Sequence, residues 1–467
     1  MERLGYFTLL ALLFCHFSRI VEPYWWLHIP RWLLLVTFGI ALLQGRFLTG
    51  FYHRLGGLLL LLTTFFVFSA PFSVWPGGTV DFIVNDWVRN VLLFFIVASY
   101  ITSFDRVRTI AATIGLGLGY VGVTSLLSGQ QSRDAARVMG ANVSFGNSND
   151  FAMAMLTGIP LCLWIAADSR RPIWLRGLAL AMAPAMAFSM LQTGSRMMLV
   201  VTGVLGLFLF WKSRGPVRIA MVAGGLAVGM AAVAVMPRTT LLRLGTLFSP
   251  TAMTAGADPL NDPNTGEVNE QALNSAVDST NHRLHLFKRS VVLAISNPIF
   301  GVGTKMFDVA ENNLAQAEGK SRGSWQVAHN AYAEIAAENG IPAFIVFMLL
   351  ILRAWQGLTR FEKLARDEHP RFMEWRFLSI MLKGAMLSYL ACAMFLSIGY
   401  NEFLPLFAAM IVGADFALRR DQMLIARAEE AKKAPATPEP AYGYDYGYAY
   451  GPAAVSYSSD PAGAQGD

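Results

Sequence analysis

Three residues have types and neighbours that could do chemistry. His329 stands in Ala328-His329-Asn330-Ala331-Tyr332-Ala333-Glu334, where a long polar segment, residues 236–327, gives way to an apolar run, 341–352. Histidine exchanges a proton near neutral pH, so at a water–lipid boundary it is a candidate base towards a lipid-borne substrate. Arg196 closes Gln192-Thr193-Gly194-Ser195-Arg196, between two apolar runs. Gly194 and Ser195 allow backbone close to a ligand, and a guanidinium pairs bidentately with phosphate. The plainer role for such an arginine is to reach the lipid head groups. Arg283 stands just before an amphipathic stretch that is followed by Asn297-Pro298-Ile299-Phe300-Gly301-Val302-Gly303. Its neighbours Lys288 and Arg289 read as interfacial anchors. A fourth stretch, Arg137-Val138-Met139-Gly140 onward to Asn147-Ser148-Asn149-Asp150, enters an apolar run, and Asn147, Asn149 and Asp150 are of the types that cap a helix.

The surroundings of His329 are small. On a helix starting there, Tyr332, Ala333, Ala336 and Gly340 share its face and leave room beside the imidazole. Glu334 and Glu338 lie one turn apart on another face, where solvent or an arginine would hold them.

The elements that must position these residues follow from composition. The 467 residues are 54% hydrophobic and only 15% charged, with a mean hydropathy of +0.44, which excludes an ordinary soluble protein and indicates an all-α polytopic membrane protein. About twelve apolar runs approach the length of a membrane span, centred in 6–20, 32–43, 55–70, 88–101, 109–127, 151–166, 178–191, 197–211, 219–235, 341–352, 377–398 and 403–418. The net charge of +6 comes from short basic loops rather than from a nucleic-acid surface. Arg46 and Arg54, Arg106 and Arg108, Arg170, Arg171 and Arg176, Lys212, Arg214 and Arg218, and the segment 353–376 fall in alternate loops, which the positive-inside rule places in the cytoplasm. Both termini are then cytoplasmic. The first run is read as an uncleaved helix, since no small-residue cleavage pattern follows it. Cys15, Cys162 and Cys392 are scattered in apolar runs without metal-ligand spacing.

This topology divides the chain into nine spans over 1–235, an outer loop over 236–328, three spans over 329–418 that open with His-Asn, and a tail over 419–467. The first half of the loop, 250–278, is rich in Asp, Asn, Thr, Gly and Pro and reads as irregular. From His282 to Ile295 helical spacing of Leu286, Arg289, Val292 and Leu293 predicts an interfacial helix ending at Asn297-Pro298. The Tyr-, Gly- and Pro-rich tail cannot bury a core and reads as disordered, with a cytoplasmic partner for its tyrosines as the sharper alternative to a dispensable end.

Taken together, Gly-Ser-Arg at 194–196, Arg283 ahead of Pro-Ile-Phe-Gly-Val-Gly, and His-Asn-Ala-Tyr-Ala-Glu-Ile-Ala-Ala-Glu-Asn-Gly-Ile-Pro from His329 to Pro342 resemble the O-antigen ligase family of bacterial envelope glycosyltransferases. The resemblance covers residues 137–418, and departs at Asn147-Ser148-Asn149, where relatives often carry a proline. It implies an inverting, metal-independent transferase without cofactors in the bacterial inner membrane. Its donor would be a glycan on undecaprenyl pyrophosphate, its acceptor a sugar hydroxyl of lipid A core or of a lipid-linked glycan, and its active site would face the periplasm. It implies that His329 is catalytic and that Arg196 and Arg283 bind the pyrophosphate, with Arg137 joining the donor-binding set and Ser195, Asn330, Tyr332, Glu338 and Asn149 supporting. The leaving pyrophosphate would need no general acid, and the histidine would take the acceptor proton.

Three acceptors suit this chemistry. A ligase transfers finished glycan to lipid A core, a polymerase transfers a growing chain to another lipid-linked repeat unit, and a protein oligosaccharyltransferase transfers to serine or threonine. The chain lacks the second long outer domain that protein-modifying relatives often have, which favours the first two. Twelve spans would also suit a secondary transporter, but no internal repeat is visible and the polar residues gather outside the bilayer midplane.

Overall fold

The computed structural model of the chain describes residues 1–45, 47–128, 147–235, 266–320, 326–364 and 370–433. Arg46, Arg137, residues 236–265 of the outer loop and residues 434–467 of the tail lie outside the described residues. The chain divides into two units, Met1–Asp421 and Gln422–Asp467, and every contact discussed below belongs to the first.

Among the described residues all regular elements are helical. They are α1 (Glu2–Ser18), α2 (Ile29–Leu43), α3 (Arg54–Ser69), α4 (Pro76–Phe82), α5 (Val88–Tyr100), α6 (Phe104–Ser128), α7 (Ser148–Ala167), α8 (Ile173–Gln192), α9 (Arg196–Lys212), α10 (Pro216–Val235), α11 (Gly266–Ser296), α12 (Phe307–Ala317), α13 (Ala331–Leu364), α14 (Pro370–Ala393) and α15 (Phe403–Lys433). A π turn, Ile83–Trp87, joins α4 to α5. Helix is the form that lets an apolar segment satisfy its own backbone groups in lipid.

All twelve apolar runs overlap these helices. Seven helical segments among the described residues are long and apolar enough to cross a membrane: Arg54–Phe72, Pro76–Tyr100, Phe104–Leu127, Ser148–Ala167, Ile173–Gln192, Ala331–Lys363 and Met373–Ala393. Ile29–Leu43 and Pro216–Ala231 are apolar but shorter. Helix α7 is the most enclosed of the spans and packs against α6, α8 and α14. Small residues allow the close approach: a Cβ on Gly158 would lie 2.3 Å from Cε of Met186 in α8. Outward positions such as Leu180, Leu207 and Leu226 remain exposed and apolar, as a lipid-facing surface requires.

Two sequence expectations are corrected. Residues 266–278, read as irregular, are the start of α11, because Glu267, Glu270, Gln271, Ala272 and Leu273 are strong helix formers without a breaker among them. Arg283 therefore lies within a helix rather than ahead of one. The last helix also continues beyond 418, the expected start of the tail, to Lys433, through Gln, Met, Leu, Ala, Glu and Lys residues that favour helix.

The feature that positions the candidate site is an interruption of α13. Gly340 adopts φ 83°, ψ 172° in the middle of the helix, a conformation open to glycine. The break frees carbonyl groups, and the loop after α11 takes them: Val302 N–H donates to Ala337 O at 3.0 Å and Gly303 N–H to Glu338 O at 2.9 Å, while Ile341 N–H donates to Pro298 O at 2.8 Å. The contact is backbone to backbone. A Cβ on Gly340 would lie 2.3 Å from Ile299 O, and one on Gly301 2.2 Å from the carbonyl carbon of Glu338. Phe300 stacks on Phe72 with ring centroids 4.3 Å apart, which fixes the loop against the end of α3.

Helices α11 and α12, this loop and the start of α13 share a small apolar core of Leu286, Leu293, Ala294, Val302, Phe307, Ala310, Ala328 and Ala337. Arg289, expected to anchor at an interface, instead ties α11 to α12 by pairing with Glu311 at 4.0 Å and with Glu318.

Candidate functional site

His329 occupies a turn immediately before α13, with φ +53°. Left-handed backbone is uncommon outside glycine, although histidine adopts it more readily than most residues. The turn is held from both sides. His329 N–H donates to Ser397 Oγ at 2.8 Å. Asn330 Nδ2 donates to Met394 O at 3.0 Å, while its Oδ1 accepts Ala333 N–H at 2.9 Å and so caps α13. Tyr332 OH donates to Leu390 O at 2.9 Å. Asn330 and Tyr332 thus bind the start of α13 to the end of α14.

The imidazole of His329 is half-buried, and its pKa is lowered from 6.5 to about 4. Burial is the largest cause, followed by the charge of Arg283 and then that of His282. The ring is therefore uncharged at neutral pH, with a nitrogen lone pair available. The same coupling shows that α11 brings Arg283 into the electrostatic neighbourhood of His329. His282 is itself held through Nε2 to Gln326 Oε1.

Arg196 begins α9, behind Gly194 at φ +60° and the buried N-cap residue Ser195. Helices α9 and α14 pack together, with Leu205 and Leu209 facing Gly384. The end of α9, at Lys212, lies beside the first turns of α14, since both contribute to one cavity. The pair is thus antiparallel. Arg196 consequently lies at the level of the α14 C-terminus, the end to which Asn330 and Tyr332 are bonded.

The acidic residues of the His329 motif do a different job from the one their helical positions suggested. Glu334 and Glu338 are each 1% exposed. Glu338 accepts the N–H groups of Lys305 at 2.8 Å and Phe307 at 2.9 Å, and the hydroxyl of Tyr400. Glu334 accepts Lys305 Nζ at 3.2 Å and Gly399 N–H at 3.2 Å. Asn339 continues the network, with its Nδ2 donating to Tyr400 OH and its Oδ1 accepting from Thr304 Oγ1, both at 2.6 Å. These contacts clamp the α11–α12 loop and the α14–α15 loop onto α13. The ammonium of Lys305 is held above its ordinary pKa by the charge of Glu334, against the opposing effect of burial and with help from Glu338.

Asn147 caps α7, its Oδ1 accepting Asn149 N–H at 2.8 Å and Asp150 N–H at 3.0 Å.

A cavity of about 300 Å³ lies against the His329 turn, with Ser397, Lys305, Tyr400, Asn401 and Asp150 in its wall. Arg19 and Arg89 also line it; His329, Arg196 and Arg283 do not. Sequence reasoning passed over Lys305, Ser397, Arg19 and Arg89. Lys305 had a local signal, a lone cation directly after Gly303-Thr304, but nothing in the chain order gathers the other three around one cavity.

Residues 181–348 match the family model described as O-antigen ligase. This stretch is similar to the O-antigen ligase family. It begins within α8, takes in Arg196, Arg283 and His329, and ends inside α13 beyond the break at Gly340. Ser397 and Tyr400, which bond to His329 and Glu338, come from outside the matched residues, as do Arg19 and Arg89. No curated protein matches the chain.

Proposed function

We propose that this protein is a glycosyltransferase that moves a glycan from undecaprenyl pyrophosphate to a sugar hydroxyl of lipid A core, at the periplasmic face of the inner membrane, with inversion and without a metal ion. The observation that carries this reading is the neighbourhood of His329 and Arg283: an uncharged imidazole within the electrostatic reach of a guanidinium, both inside the stretch that matches the O-antigen ligase model.

The acceptor oxygen attacks the anomeric carbon as the bond from that carbon to the pyrophosphate oxygen breaks. The bonding pair leaves with undecaprenyl pyrophosphate, and the hydroxyl proton passes to His329. Arg283 and Arg196 receive the negative charge that grows on the leaving group, in positions fixed beforehand by α11 and α9. Anion binding beside Arg283 also offsets the charge that lowers the His329 pKa. The imidazole becomes a better base when the donor is seated, which couples proton acceptance to donor binding.

The test is transfer in vitro by the purified full chain, from a defined undecaprenyl pyrophosphate glycan to lipid A core. The expected product is glycosylated core with free undecaprenyl pyrophosphate. Absence of transfer to this acceptor, with elongation of the lipid-linked glycan instead, would make the protein a polymerase. The strain lacking the gene gives an independent readout: a ligase leaves long glycan on the lipid carrier, a polymerase single repeats.

A further inference from the structure

Helices α9, α13 and α14 enclose a second cavity, of about 340 Å³. It lies at the far end of α13 from His329. At about 1.5 Å per residue, the helix rises roughly 30 Å from the break at Gly340 to Glu362, the thickness of a hydrocarbon core. The same end carries the basic loops that the positive-inside rule assigns to the cytoplasm.

The lining has two characters. One side is cationic: Lys212, Lys363, Arg376 and Lys383 surround a single carboxylate, Glu362. Glu362 is already shared, accepting Lys212 Nζ at 2.5 Å and Lys383 Nζ at 2.6 Å. Among the described residues no carboxylate pairs with Lys363 or Arg376. The other side is aromatic, formed by Trp355 and Phe208 with ring centroids 6.3 Å apart. Lys383, itself 3% exposed, lies 5.4 Å from the Trp355 ring centroid. A cationic wall joined to an aromatic wall at the membrane boundary matches a ligand with a phosphate and an apolar shoulder.

We infer that this cavity binds the headgroup phosphate of an anionic phospholipid, with the phosphodiester on Lys363 and Arg376 and the glycerol and upper acyl carbons against Phe208 and Trp355. A free phosphate would use the cations and leave the aromatic wall unfilled. The site is separate from the transfer chemistry and stands whether or not that reading holds.

The experiment follows the melting temperature of the full-length protein in neutral detergent during titration with phosphatidylglycerol, with phosphatidylcholine and with inorganic phosphate. Phosphatidylglycerol should raise the midpoint saturably, and the other two should not. Lys363→Ala and Arg376→Ala should each weaken half-saturation roughly fivefold, the scale of one basic residue at an anionic membrane surface. Glu362→Gln should tighten it, because the charges of Lys212 and Lys383 are released to the ligand. Lys363 is exposed, so its substitution leaves the fold intact, and the phosphatidylcholine arm reports folding of all three variants. An equal effect of inorganic phosphate would overturn the lipid assignment. Wild-type saturation by Lys363→Ala would overturn the site.

Discussion

The backbone N–H of His329 donates to the hydroxyl oxygen of Ser397 across 2.8 Å, tying the left-handed turn that opens α13 to the segment that follows α14. The candidate base is therefore aimed by a residue outside the stretch that matches the O-antigen ligase model. Ser397→Ala removes the acceptor and leaves the N–H unpaired, a loss of about 1–3 kcal/mol where the group is buried. Transfer by this variant should fall about tenfold in kcat with little change in KM, and Ser397→Thr, which restores the oxygen, should recover most of it. Wild-type kcat in Ser397→Ala would show that the turn holds itself.

His329→Asn is the variant that isolates the imidazole. Asparagine, like histidine, adopts left-handed backbone more readily than most non-glycine residues, so the turn and the start of α13 should survive while the base is lost. Transfer should drop at least about a hundredfold, with membrane insertion and melting temperature close to wild type. Near-normal transfer would remove His329 from the reaction.

The pH dependence has a definite sign. His329 must be unprotonated to accept a proton, and its pKa in the resting protein is lowered to about 4. With free enzyme and substrate, kcat/KM should be level above that value and decline as the pH falls through it. Arg283→Gln removes one of the charges that lower the pKa. In a histidine NMR titration of the resting protein, the His329 midpoint should then rise towards 6.5 without reaching it, because burial, the larger cause, remains. An unmoved midpoint would separate the two residues.

Gly340→Ala should be far more damaging than an alanine in an ordinary helix. It imposes left-handed φ on a side chain, about 1–3 kcal/mol, and places a Cβ 2.3 Å from Ile299 O, a backbone atom that cannot swing away. Loss of monodisperse protein in size-exclusion chromatography is expected. A well-behaved Gly340→Ala protein with an unchanged melting temperature would show that the loop can give way.

Glu338→Ala leaves the N–H groups of Lys305 and Phe307 and the Tyr400 hydroxyl without their shared acceptor. At about 1–3 kcal/mol for each buried donor, it should destabilise strongly by thermal melting. Lys305→Met retains the backbone N–H contacts and should destabilise less. Equal melting temperatures for the two would place the stabilisation in the Lys305–Glu334 ion pair rather than in the backbone clamp.

Much of this architecture could be read in the chain. The apolar runs located the helices, and Asn297-Pro298 marked the end of α11, because hydrophobic length and breaker residues act locally. The Gly-Ser-Arg turn and the His-Asn motif were legible for the same reason. The meaning of Pro-Ile-Phe-Gly-Val-Gly and Glu-Asn-Gly-Ile-Pro was not. Each looks like an isolated turn, and only their mutual backbone bonding explains why Gly301 and Gly340 face one another. Glu334 and Glu338 were misplaced because helical periodicity describes one helix alone, whereas their partners, Lys305, Gly399 and Tyr400, arrive from two distant loops. Ser397, Arg19 and Arg89 are recognisable only once the chain has folded.

The bonds from Val302 and Gly303 to Ala337 and Glu338 act as a rivet between the loop that follows the helix of Arg283 and the helix that follows the turn of His329. The spacing of those two residues is consequently independent of the covalent path between them. A change of length or sequence within residues 321–325 is therefore expected to leave the spacing of Arg283 and His329 unaltered, because the backbone bonds that set it lie elsewhere.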